Sequence, residues 1–393
     1  MKILFVDDEP RILEGIERML FHLTDEWDII CTESGEAALE ILDNESCQVL
    51  VTDMRMPGMD GAALLQEVCV HHPDVIRIIL SGHAELESAL RVVPVAHQFL
   101  TKPCAAETLV ETVVRSCRLH KTLKNRELRK LIGKLKNLPS VPRIYSELGT
   151  ALMDPAMDAQ GVAQIISQDP AMCAKVLQLV NSSFFTRAAH ISDISQAVVL
   201  LGFQMIKNLV LSVEIFHLSA NTPKLPEEFH IEELQRHALS TALIAKDMFS
   251  GRLQVDDAFM GAMLHDIGKL ILASEAPWEL DNALKLATEE TLPVFVAEQR
   301  LMGVSHAEIG AYLLGMWGLP YPIVEAVANH HNPMQYSQCT TFGIPEAVHL
   351  ANDLVNGAEI DSGYLEDFGV TQKLAAWRKQ AEDLCLTRGE NLL

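Results

Sequence analysis

Five short, β-rich apolar runs alternate with segments of helical periodicity over the first 117 residues, and few folds accommodate that pattern. The runs are Ile3–Val6, Ile29–Thr32, Val49–Thr52, Val75–Leu80 and Gln98–Leu100. Helical spacing follows over Pro10–Phe21, Glu36–Leu42, Gly61–Val70, Glu85–Val92 and from about Ala105 onward. Strands that alternate with helices predict an open, doubly wound parallel sheet of five strands. Such sheets place their sites at the carboxyl ends of the strands. Polar residues stand there: Asp7 and Asp8 after the first run, Asp53 after the third, Ser81 after the fourth and Lys102 after the fifth. Three carboxylates beside one ammonium make a hard, oxygen-rich Mg2+ site. A carboxylate there can accept a phosphoryl group as an aspartyl phosphate, with Mg2+, the lysine and a hydroxyl neutralising the transferred charge.

Charge divides the chain into three. Residues 1–117 carry a net −13, residues 118–137 a net +7 and residues 138–393 a net −16, for −22 in all. A chain this acidic repels a phosphate backbone, so DNA binding is not expected. Leu128, Leu131, Leu135 and Leu138 mark an apolar seam, read as a basic linker helix through Arg118–Lys136 that couples two domains or pairs with a second copy of the chain. Eight cysteines with no C-x-x-C pair suit reduced thiols. No apolar stretch approaches the ~20 residues of a membrane span, and the opening apolar run is too short for an export signal. A cytoplasmic location is the expectation.

The motifs of the first block resemble the receiver domain of two-component response regulators. They are Val6-Asp7-Asp8-Glu9-Pro10, Thr52-Asp53-Met54-Arg55-Met56-Pro57-Gly58-Met59-Asp60-Gly61, Leu80-Ser81-Gly82-His83 and Phe99-Leu100-Thr101-Lys102-Pro103. The resemblance implies that Asp53 is the phosphoacceptor. It also implies Mg2+ held by Asp8, Asp53 and the Arg55 carbonyl with Asp7 assisting through water, phosphoryl contacts from Ser81 and Lys102, and a rotamer change at Phe99.

From Leu138 onward the periodicity is helical and histidine recurs. His237, His265-Asp266, His306, His330-His331 and Asp353 (four residues after His349) are spread over several helices. Imidazoles and carboxylates aimed from several helices into one core can bind one or two transition-metal ions, and a bound metal can generate hydroxide for phosphoester hydrolysis. The ordered set resembles the HD phosphohydrolase superfamily, with His265-Asp266-Ile267-Gly268-Lys269 close to its core motif. The resemblance implies His237, His265, Asp266 and Asp353 as primary ligands for iron or manganese. His306, His330 and His331 would complete a second position, and Lys269 would meet a phosphate.

A longer match resembles the HDOD domain, the HD-related output domain of bacterial signalling proteins. It runs through Leu138-Pro139-Ser140-Val141-Pro142, Ser167-Gln168-Asp169-Pro170, Val180-Asn181-Ser182-Ser183, Ala197-Val198-Val199-Leu200-Leu201-Gly202 and Met316-Trp317-Gly318-Leu319-Pro320. HDOD domains are regarded as regulatory modules, and many have lost the metal ligands that this sequence keeps. The Gly-Tyr-Pro that follows the paired histidines in HD-GYP phosphodiesterases is replaced by Asn332-Pro333-Met334.

The expected organisation is a receiver at 1–117, a linker at 118–137 and an all-α HDOD output domain at 138–393, its HD-like part near 230–360. The expected function is a response regulator, phosphorylated on Asp53 by a histidine kinase, that switches a regulatory output acting on a downstream protein. The alternative is a metal-dependent phosphohydrolase, such as a cyclic dinucleotide phosphodiesterase, gated by the receiver.

Overall fold

A computed structural model of the chain describes residues 1–21, 27–82, 92, 94–123, 125–135, 138, 142–154, 156–182, 190–203, 205–206, 226, 228–333, 342–360, 365–366 and 368–389. It comprises two compact units. One is Met1–Asn137 with Gln178–Ala189 and Tyr312–Gly318; the other is Leu138–Leu177, His190–Ala311 and Leu319–Leu393.

The first unit holds a single parallel sheet of β1 (Lys2–Val6), β2 (Asp28–Thr32), β3 (Val49–Asp53), β4 (Ile76–Gly82) and β5 (Gln98–Lys102), in the order β2-β1-β3-β4-β5. The interior strands read as unbroken apolar runs because both faces are covered; Ile3, Leu4, Phe5, Val49, Leu50, Val51, Ile76, Ile78 and Ile79 are all buried. The crossovers supply α1 (Pro10–Leu20), α2 (Gly35–Asn44) and α3 (Gly61–His71), and α4 (Ala106–Thr122) follows β5. Ser34 and Asp60 cap α2 and α3 by accepting from the Ala37 and Ala63 amides. The helix expected over Glu85–Val92 lies, apart from Val92, outside the described residues.

The strands run further than their apolar cores. Asp53, Ser81 and Lys102 are ladder members, paired in register as Asp53 with Leu80, Ser81 with Thr101 and Gly82 with Lys102. Sheet hydrogen bonds therefore hold these polar side chains, which the apolar pattern places just past the strands.

The expected single helix through Arg118–Lys136 is two. α4 stops at Thr122, Leu123 is extended, and α5 (Arg126–Lys134) begins afresh. Asn125 explains the break: its side-chain oxygen accepts from the amides of Glu127 and Leu128, which offers the backbone a cap in place of a continued helix. α5 packs on α3. Leu128, Ile132 and Leu135 are buried and Leu131 is half-buried, so most of this seam packs within the chain.

The docking of α5 centres on Arg77, a fully buried guanidinium. Its Nη2 donates to the Gly133 carbonyl at 2.7 Å and its Nε to the Val95 carbonyl at 2.6 Å, while Nη2 also lies 2.9 Å from His97 Nε2. Burial lowers its pKa to about 10, which leaves it charged at neutral pH and explains why carbonyls surround it.

The second unit is helical. Its segments include α6 (Pro142–Ala151), α7 (Ala159–Ile166), α8 (Pro170–Val180), α9 (Ile194–Leu201), α10 (Ile231–Lys246), α11 (Arg252–Leu264), α12 (Ile267–Glu275), α13 (Pro277–Glu290), α14 (Val294–Met302), α15 (His306–Met316), α16 (Tyr321–Asn329), α17 (Ile344–Val355) and α18 (Leu374–Gly389), although the last residues of α8 and α15 group with the first unit. Gly202, with a φ of 77°, ends α9. The core is made by α10, α11, α16 and α17 packed on one another, and α18 lies against α10 and α17 with Trp377 and Ala381 buried.

Gly133 tests the docking of α5. A Cβ there would stand 1.7 Å from the Pro73 carbonyl oxygen, which is backbone and cannot swing aside. Gly133→Ala should cost ~1–3 kcal/mol in urea unfolding, and amide exchange should show the loss concentrated in α5.

Candidate functional site

The first cluster sits at the carboxyl edge of the sheet. Asp7 follows β1, while Asp53, Ser81 and Lys102 come from the ends of β3, β4 and β5. Lys102 Nζ lies 2.7 Å from Asp7 Oδ2 and 2.5 Å from Asp53 Oδ1. Burial would lower the Lys102 pKa, but Asp53 and Asp7 outweigh it and raise it, so the ammonium stays charged. Asp53 Oδ2 accepts from the Arg55 amide and Asp7 Oδ1 from the Glu9 amide, which fixes both carboxylates. Ser81 and Phe99 are buried and Asp8 is half-buried. Gly61 is required by the close approach of α3, since a Cβ there would meet the Asp53 carbonyl oxygen at 2.0 Å. The donors are hard oxygens, which suits Mg2+.

The second cluster gathers around the ends of several helices of the other unit and the interior of α10. His237 projects from α10; His265 follows α11; Asp266 immediately precedes α12; His306 opens α15; His330 and His331 follow α16. The structure thus brings six of the seven histidine and aspartate candidates together. Asp266 stands between two groups. Its Oδ2 lies 3.4 Å from His265 Nε2 and 3.9 Å from His237 Nε2. Its Oδ1 lies 3.1 Å from His306 Nε2 and 3.8 Å from His330 Nε2, and His331 Nε2 is 3.0 Å from His306 Nε2. Lys269, one helical turn on, donates to Asp266 Oδ2 at 2.8 Å.

Three imidazoles are held with one nitrogen turned inward. His265 Nδ1 donates to the Ala262 carbonyl at 2.6 Å and His330 Nδ1 to the Val327 carbonyl at 2.8 Å. A carbonyl can only accept, so Nδ1 carries the proton and Nε2 presents a lone pair. His306 is fixed by Glu298, whose Oε2 accepts from both the His306 amide at 2.7 Å and Nδ1 at 2.6 Å. Burial lowers His265 to about 4 and pushes His237, His330 and His331 below the usual imidazole range, so they stand neutral, the form that binds metals. Burial opposes the charge on His306 too, but Glu298 and Asp266 prevail and raise it. Burial alone would push Asp266 up; Lys269 and the surrounding imidazoles hold it well below the carboxylate range.

Asp353 does not join the set. Its carboxylate lies 3.5 Å from His349 Nε2, and the position that faces the cluster is the preceding one: Asn352 Oδ1 is 2.9 Å from His237 Nε2. Neighbours on a helix point about 100° apart, so one register step decides which enters the core. Sequence reasoning also missed Glu298 and Phe295, whose ring stacks on His331 at 4.1 Å. Glu298 precedes His306 by eight residues across a turn, and no local spacing signals their contact.

The residues fit a metal. Asp266 Oδ1 and His330 Nε2, 3.8 Å apart, are buried without hydrogen-bond partners among the described residues, and unpaired buried acceptors that face one another are satisfied by a cation. A set rich in imidazole suits a transition metal rather than Mg2+.

Carboxylates and a lysine at the edge of a doubly wound sheet, in a chain that also carries a histidine-bearing helical unit, are the arrangement of a signal-transduction protein with an input and an output part. The profile for the response regulator receiver domain matches residues 3–114, and that for the HDOD domain matches residues 138–333. The chain is accordingly a response regulator with an N-terminal receiver and a C-terminal HDOD domain. It is 28% identical to an uncharacterized protein of Treponema pallidum over 51% of this chain and 39% of that one. It is 32% identical to the hydrogenase transcriptional regulatory protein HoxA of Bradyrhizobium diazoefficiens over 36% of this chain and 30% of that one. The chain thus spans two fifths or less of the length of these relatives. The solved structure of the MmoQ response regulator from Methylococcus capsulatus is similar in fold, with a TM-score of 0.51 and 20% identity, covering 62% of this chain and 98% of that one. No helix among the described residues is long and apolar enough to cross a membrane.

Gly268 lets α12 approach the histidine cluster: a Cβ there would fall 1.9 Å from the His306 carbonyl oxygen. Gly268→Ala should lower stability by ~1–3 kcal/mol or more, read by thermal unfolding, because backbone would have to move apart on both sides.

Proposed function

We propose that Asp53 accepts a phosphoryl group from a sensor histidine kinase and that the helical unit is a mainly regulatory output acting on a downstream protein in the cytoplasm. The observation that carries this is Lys102 Nζ placed between Asp7 and Asp53. Asp8, Asp53 and the Arg55 carbonyl would hold Mg2+, with Asp7 assisting through water; Mg2+ supplies charge neutralisation for the transferred group. Once Asp53 is phosphorylated, Lys102 and the Ser81 hydroxyl contact the new phosphoryl oxygens, and Phe99 follows Ser81. This is a local electrostatic event that biases a two-state element. DNA recognition is not part of the proposal, because the chain carries −22 and would be repelled by a duplex.

Convergence of His237, His265, Asp266, His306, His330 and His331 favours a second role, transition-metal binding by the helical unit. Metal-dependent phosphoester hydrolysis is the catalytic version of that role, with Lys269 toward the phosphate. Asn352 in place of a carboxylate and the missing Gly-Tyr-Pro weigh toward binding or sensing rather than turnover.

Acetyl phosphate with Mg2+ should label the wild-type chain, and Asp53→Asn should take up none. Equal labelling of the variant would sink the phosphoacceptor assignment. Protein purified without chelator should contain iron, manganese or another transition metal by elemental analysis; a metal-free chain that binds none on reconstitution would remove the metal role and leave the receiver untouched.

A further inference from the structure

The two halves of the histidine cluster are not equivalent. In the His237–His265 half the polar atoms already have partners. His237 Nε2 meets Asn352 Oδ1 at 2.9 Å and His265 Nε2 at 3.2 Å, and Asn352 Oδ1 also accepts from Asn356 Nδ2 at 3.1 Å. The Asp266 oxygen on this side, Oδ2, is engaged by Lys269 at 2.8 Å. An ion here would have to displace a lysine and would gain a neutral amide where a carboxylate would have added charge.

The other half is unfinished. The cluster's orphaned atoms, Asp266 Oδ1 and His330 Nε2, both face it, 3.8 Å apart. His306 Nδ1 donates its hydrogen bond to Glu298, so in the neutral ring Nε2 is an acceptor facing Asp266 Oδ1 at 3.1 Å and His331 Nε2 at 3.0 Å, an arrangement that only a proton or a metal cation on Nε2 reconciles. A cation resolves the arrangement, with three imidazoles and one carboxylate oxygen as ligands. Glu298 behind His306 is the outer carboxylate that orients a ligating imidazole and raises its basicity.

Resting on the metal-binding role proposed above, we infer that this chain binds one divalent transition-metal ion in the His306–His330–His331 half, with Asp266 Oδ1 as its carboxylate ligand, and that the His237–His265 half is a hydrogen-bonded support whose capacity for a second ion was given up at Asn352. Glu298 is the positioning residue of the occupied half. Nitrogen-rich ligation selects Zn2+, Co2+ or Fe2+ over Mg2+ and Ca2+.

The full chain, stripped with chelator, is titrated with Co2+ and followed by its visible absorption, with bound metal counted after dialysis. Wild type should bind one ion per chain. His330→Ala and His331→Ala should lose it, His237→Ala should keep it with an unchanged spectrum, and Glu298→Gln should weaken it by roughly 10–100-fold. Asn352→Asp alters only one amide, so it should fold as wild type does, and it should raise the count to two. Two equally tight ions in wild type, retention of the ion by His330→Ala with loss in His237→Ala, or a count of one in a folded Asn352→Asp chain would each overturn the inference while leaving metal binding itself intact. A wild-type chain that binds no ion would instead fail the metal role on which the inference rests.

Discussion

One buried carboxylate, Asp266, organises the helical half of this protein. A charge taken out of water costs several kcal/mol unless it is paired, and the chain surrounds this one with Lys269 and the imidazoles of His265, His306, His237 and His330. Those partners arrive from the interior of α10, from just past the ends of α11 and α16, and from the first turns of α12 and α15. Helix ends are where the chain can turn a side chain inward without breaking a ladder, so the packing of the helical core and the geometry of the cluster are settled together. Gly268 belongs to the same constraint, since α12 must come within backbone distance of His306 to deliver Asp266 and Lys269.

The receiver half solves a related problem differently. Its carboxylates, Asp7 and Asp53, are fixed by sheet register and share one ammonium, Lys102. One ammonium leaves the two carboxylates with a net negative charge, which suits a divalent cation, and the lysine that bridges them is a long, flexible side chain. By contrast, the buried imidazoles of the second cluster are held by backbone carbonyls and by Glu298, which suits a fixed ion better than a moving one. The two sites thus differ in which partners are flexible: a lysine side chain in one, backbone carbonyls and a buried glutamate in the other.

Much of this was legible in the residues alone. Unbroken apolar runs ending in Asp, Ser and Lys define both the parallel sheet and the edge where its polar residues collect, because strand direction in a doubly wound sheet leaves little choice of where polar ends gather. The ordered histidines were legible as a set. Less was legible where one residue of register matters. Asp353 and Asn352 differ by about 100° around α17, and only packing against α10 decides that Asn352 meets His237. Glu298 lies in α14, which pattern gives no reason to connect with His306. At the connector, charge and leucine spacing suggested one helix, and the side chain of Asn125 ended it.

The sequence by itself determined the class of each half, the polar residues at the sheet edge and the roster of imidazoles, since these depend on local periodicity and residue chemistry. Tertiary structure alone decided which nitrogen of each imidazole points inward, which oxygen of Asp266 is spoken for, and which helix residue completes each half of the cluster. Those outcomes depend on distances of about 3 Å between segments far apart in the chain, and no local pattern encodes such distances.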